Sequence, residues 1–85
     1  MSKVFFPDKS VFVEASCPPH PPNTRYKVSV GKEKWGDNEV DVFKVQMEYD
    51  RVLAGRRSPS YPVGTDDATK VQTALNKMIN DLNSL

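Results

Sequence analysis

The apolar positions of this chain follow two different periods. From Gly64 to Leu85 the residues Ala68, Val71, Ala74, Leu75, Met78, Ile79 and Leu82 recur at spacings of three and four, which places them on one stripe of an amphipathic helix. Lys70, Gln72, Thr73, Lys77, Asn80 and Asp81 make up its polar side. Thr65 or Asp66 stands where a side-chain oxygen can cap the first turn, and Asp66 and Asp67 bring negative charge to the positive end of the helix dipole. A helix of this length is marginal alone in water, so it needs a sheet to pack against.

Upstream of Gly64 the period is that of strands. Lys3–Phe6 and Ser10–Glu14 are short β-prone runs parted by Pro7-Asp8-Lys9, which has turn chemistry and predicts a small hairpin. Phe5, Val11 and Val13 are its core candidates. Arg25–Gly31 alternates, with Tyr26, Val28 and Val30 on one face and Lys27 and Ser29 on the other. Beyond the loop Lys32–Asn38 lies the longest run, Glu39–Tyr49, in which the apolar positions change parity. Val40 and Val42 are even; Phe43, Val45, Met47 and Tyr49 are odd. Such a change moves side chains to the other face of a sheet. It predicts either a bulge near Val42–Lys44, the favoured expectation for so long a run, or a strand covered on both faces there. Asp50-Arg51 turns the chain into a short strand, Val52–Ala54, and residues 55–64 form a loop rich in Gly, Pro and Ser.

Cys17-Pro18-Pro19-His20-Pro21-Pro22 lacks the backbone donors that a helix or an interior strand needs, so an extended connector is expected. Strands first and a helix last predict an α+β fold: a small antiparallel sheet, built as a β-hairpin plus a three-stranded meander, with the C-terminal helix across one face. At 85 residues the chain has the size of a single small domain.

Composition narrows the classes of function. A hydrophobic share of 38% with 27% charged residues is that of a globular chain. The lone cysteine, Cys17, rules out an intramolecular disulfide and points to a reducing cytoplasm; no stretch has the apolar length to span a bilayer. Cys17 and His20 are too few for a zinc site. The single histidine, with no nucleophile motif and no paired histidines, leaves nothing to assign as catalytic. Asp37, Glu39 and Asp41 alternate along a strand without the spacing of a calcium loop. The expectation is a non-enzymatic chain with no cofactor and no metal.

Two binding classes remain. Net charge is +1, yet residues 37–50 sum to −4 while residues 51–64 sum to +3. Arg51, Arg56 and Arg57 have no acid among them, and Lys32, Lys34 and Trp35 join two cations to the only tryptophan. Brought onto one face, these six would form a small phosphate-binding patch with a stacking ring. The other class, ranked first, is protein interaction or self-association: strand edges pair readily with another chain, and small domains gain stability by associating. Arg56-Arg57-Ser58-Pro59-Ser60 adds a serine stretch where a phosphate could pair with arginine.

Overall fold

The computed structural model describes residues 4–83. Lys3, at the start of the expected first strand, and Ser84 and Leu85, at the end of the expected helix, lie outside them. The expected architecture is found: four antiparallel strands in the order β1-β2-β3-β4 and one C-terminal helix. The strands are β1 (Phe5–Glu14), β2 (Thr24–Trp35), β3 (Asn38–Tyr49) and β4 (Val52–Ala54), and the helix is α1 (Asp67–Asn83).

The alternation of β2 sets the faces. Tyr26 and Val28 point to the helix and, with Met47 of β3, meet Val71 and Met78 of α1 in the buried core. Val11, Val13, Val30, Val45, Ala74 and Leu75 pack around them. Each large side chain buried this way contributes about 1.5–3 kcal/mol, and α1 depends on that floor. Its first turn is held as expected near Thr65 and Asp66. The Thr65 hydroxyl oxygen accepts from the Asp67 N–H at 3.4 Å and the Asp66 carbonyl accepts from the Lys70 N–H at 2.9 Å.

Four local expectations are corrected. Pro7-Asp8-Lys9 is not a hairpin turn; β1 runs through it as one strand, with a register shift between Pro7 and Lys9 against β2. Proline is tolerated on an edge strand, and a bulge absorbs the extra residue without ending the ladder. Gly31 of β2 makes room for it: a Cβ there would stand 2.3 Å from the Phe6 carbonyl oxygen and 2.6 Å from the Pro7 Cα.

No bulge occurs in β3, whose pairing with β2 is unbroken from Thr24↔Tyr49 to Trp35↔Asn38. The parity change has the other cause: apolar residues occupy both faces at this end. Val40 shares a row with Glu33 and Phe5, on the face away from α1, and Phe5 is only 7% exposed. Val30 and Phe43 lie on the helix side. The expected loop Lys32–Asn38 is mostly strand as well, because Gly36, at φ 67°, closes a two-residue turn of the kind that matches strand twist. Residues 17–22, finally, are turned rather than extended, with the His20 N–H bonded to the Ser16 carbonyl at 3.0 Å. β1 and β2 are antiparallel neighbours, so this segment must reverse the chain.

Candidate interaction site

β1 pairs with β2 along one side only, and its other side is an edge of the sheet. Which backbone groups face outward follows from one bond. The Ala15 N–H donates to the Thr24 carbonyl at 3.0 Å, toward β2. Alternation then turns the N–H and C=O of Val11 and Val13 inward, and those of Ser10, Phe12 and Glu14 outward. Beside this edge runs a groove of about 350 Å³ between β1 and α1. Val11 and Val13 form its floor, Ala74 and Met78 its wall, and Lys77 and Asp81 its rim. On the far face Phe12 is 45% exposed, with the Arg25 guanidinium 3.9 Å from its ring centroid. Arg25 is itself fixed by Glu48, Nη2 to Oε1 at 2.6 Å. An edge with free backbone groups, an apolar trough and an exposed ring can take an extended strand by backbone pairing and read its alternate side chains.

The geometry of the edge depends on a buried polar lock at the helix start. Asp67 has no solvent exposure. It accepts from the Ser16 N–H at 3.1 Å, from the Ser16 hydroxyl at 2.5 Å and from the Tyr26 hydroxyl at 2.7 Å. The Tyr26 oxygen also lies 2.8 Å from the Ser60 carbonyl, and His20 Nε2 lies 3.0 Å from that carbonyl and 3.2 Å from Tyr26. The single Tyr26 hydroxyl proton has two acceptors in reach, Asp67 and the Ser60 carbonyl. The charged Asp67 makes the stronger bond, and His20 in its Nε2–H tautomer can donate to Ser60. The rings close the cluster: His20 stands edge-on to Tyr26 with centroids 5.8 Å apart, and Tyr61 covers Tyr26 at 5.1 Å.

Burial works to raise the Asp67 carboxyl, but the hydrogen bonds from Ser16 and Tyr26, with nearby His20, outweigh it and hold the group below the usual carboxylate range. The Tyr26 phenol moves the opposite way, raised first by burial and then by its bond to Asp67; burial raises Tyr61 too. Asp67 was expected to be an ordinary helix-terminal acid beside Asp66. Only Asp66 remains exposed, paired with Lys70 at 3.4 Å. Nothing in the spacing of Ser16, His20, Tyr26, Ser60 and Asp67 announces that they converge.

The six candidate phosphate-binding residues fall into two groups. Lys32, Lys34 and Trp35 are at the β2–β3 turn, and Arg51 is at the β3–β4 turn, so the length of β3, about 36 Å at 3.3 Å per residue, separates them. Arg57 stays at the Arg51 end, its guanidinium 5.6 Å from the Tyr49 ring centroid, with Arg56 exposed next to it. Lys32 bonds to Asp41 at 2.9 Å, and this partner raises its ammonium. Trp35 is 56% exposed but tethered, its Nε1–H donating to Glu33 at 2.8 Å. Glu33 also binds Lys44, and these two partners lower its carboxyl. The two groups therefore stand toward opposite ends of β3. Among the described residues no group of three or more His, Cys, Asp or Glu is gathered to hold a metal, and no helix is long and apolar enough to cross a membrane. No family model, curated protein or solved structure matches this chain.

Proposed function

We propose that this chain is a non-enzymatic, cytoplasmic protein-interaction module that takes an extended polypeptide segment onto the free edge of β1. The observation that carries this reading is the coincidence of the outward backbone groups of Ser10, Phe12 and Glu14 with the groove floored by Val11 and Val13. The backbone groups supply pairing, and the groove selects an apolar side chain at alternate positions of the guest. Asp67 and Ser16 hold the start of α1 to the end of β1 and so keep the groove at a fixed width. Weak phosphate-backbone binding through the loops around Arg56 and Trp35 is the lesser reading, since about 36 Å of strand divides its two halves.

Selection from a library of randomised nine-residue peptides tests the reading, followed by titration of the selected peptides into isotope-labelled protein. Amide shifts are expected at Ser10, Phe12 and Glu14 and along Ala74–Met78. The variant Glu14→Pro removes one outward N–H and puts a ring on the edge while leaving the β1–β2 ladder intact, and it should abolish those shifts. Peptides that are never enriched, or that bind Glu14→Pro as well as the parent, would refute the proposal.

A further inference from the structure

β1 can itself supply the extended strand that pairs on its own edge. Building on the edge reading above, we infer that the chain pairs with a second copy of itself, β1 antiparallel to β1, across a two-fold axis at Phe12. Three features of the edge are compatible with that pairing, and the charge pattern of α1 places its axis.

The first is the backbone. A two-fold at Phe12 sets Phe12 against Phe12 of the second copy, and Ser10 against the second copy's Glu14. These are the residues whose N–H and C=O groups point outward, so the paired strands gain about six reciprocal hydrogen bonds. Val11 then lies opposite the second copy's Val13 on the helix side, and the two exposed Phe12 rings meet on the other face.

The second is the spacing of the helices. Adjacent strands are about 4.8 Å apart, so the axis stands about 2.4 Å outside β1. α1 contacts both β1 and β2; an axis midway between those strands would lie about 2.4 Å inside β1. With that placement the two helices come about 10 Å apart, at the upper end of the distance at which helices pack. The groove of each copy becomes the seam between them.

The third is charge. Ser16 contacts Asp67 at one end of β1 and Lys9 contacts Asp81 at the other, so α1 runs antiparallel to β1. Seven strand steps cover about the same distance as fourteen helix steps, which sets Phe12 level with Leu75. Across the two-fold, Lys70 then faces Asp81 of the second copy to within one residue, and Ala74 faces its Lys77. Lys70, Ala74, Lys77 and Asp81 recur at spacings of four and three and form the flank of α1 on the β1 side, where the last three line the groove. The small Ala74 leaves room for the stem of the opposing lysine. Among the described residues of one chain, the ion pairs of Lys70 and Asp81 are long and exposed, to Asp66 and to Lys9, both at 3.4 Å. Such pairs contribute little and are readily exchanged. β4 pairs with β3 only at residues 47–49, so among the described residues β3 from 38 to 46 is a second open edge. The groove lies at the β1 edge, and the exchange measurement below separates the two.

Sedimentation equilibrium of the whole chain from micromolar to millimolar concentration, with amide hydrogen exchange at both ends of that range, tests the inference. The expected result is a mass rising from 9.6 kDa toward twice that value, with protection gained at Ser10, Phe12 and Glu14. Because the charge pair occurs twice in the dimer, Lys70→Asp alone or Asp81→Lys alone should each weaken association about tenfold or more, and the double swap Lys70→Asp/Asp81→Lys should restore it. Circular dichroism confirms that each variant folds. A mass that stays at 9.6 kDa throughout overturns self-pairing, and the peptide selection then decides the edge reading separately. A dimer with protection elsewhere, or a double swap no better than its single variants, overturns it as well.

Discussion

Replacing Asp67 by alanine tests the polar lock. The substitution removes one charged acceptor from three donors: the N–H and the hydroxyl of Ser16 and the hydroxyl of Tyr26. Hydrogen bonds to a charged group contribute about 1.5–3 kcal/mol each, but two donors have somewhere to turn. Tyr26 can donate to the Ser60 carbonyl, 2.8 Å away, and the half-buried Ser16 hydroxyl can reach water. The Ser16 N–H is left without its acceptor, and the net loss is about 3 kcal/mol, or roughly 12–24 °C in Tm for a domain of this size. The pH dependence identifies the cause. Asp67 has a folded value below its unfolded one, so its contribution is complete above about pH 4 and is lost as pH falls through the lowered folded value. In urea titrations the gap between parent and Asp67→Ala should be widest near neutral pH and should narrow in acid. A gap under about 1 kcal/mol at neutral pH, well short of the sum above, or one undiminished in acid, would refute the account. Tyr26 supplies the alkaline counterpart. Its raised folded value means stability that is present below about pH 10 and lost as pH rises through that value, a decline Tyr26→Phe should flatten.

Two backbone substitutions have opposite expected signs. Arg51 holds φ 68° in the two-residue turn between β3 and β4, a conformation glycine adopts without strain, so Arg51→Gly should raise stability by about 1 kcal/mol, read as a higher Tm. Gly31→Ala should lower it by about 3 kcal/mol, because the new Cβ would meet the Phe6 carbonyl oxygen at 2.3 Å and backbone cannot yield as a flexible side chain does. Faster exchange of the Lys34 amide, which donates to Val4 at 2.8 Å, should accompany that loss.

The element types were legible because period reports burial. The stripe Val71–Met78 and the alternation Tyr26–Val28 each match a face that is buried. What failed was any reading that assumed one apolar face per strand. Val40 and Val42 lie across the sheet from Phe43 because Phe5 gives the far face apolar content of its own, and pairing partners cannot be read from one strand. Pro7-Asp8 has the same local chemistry in a turn and in an edge bulge; the space that Gly31 leaves decides between them. The groove was half visible, as Val11, Val13, Ala74 and Met78 were all core candidates, but nothing in their period says that β1 would be an edge. The lock was invisible. Asp67 and Asp66 are neighbours of one type, and only the approach of Ser16 and Tyr26 divides them into a buried acid and an exposed one.

The lock also has a place in time. The twelve pairs of β2 and β3 grow from a two-residue turn, so each closes a short loop after its predecessor and adds little further entropic cost. Asp67 instead meets Tyr26 across a sequence separation of 41 and Ser16 across one of 51, contacts whose closure slows folding. By loop-closure cost the ribbon is expected to form first and the carboxylate contact late. The groove beside β1, which needs α1 in place, is expected to form with it.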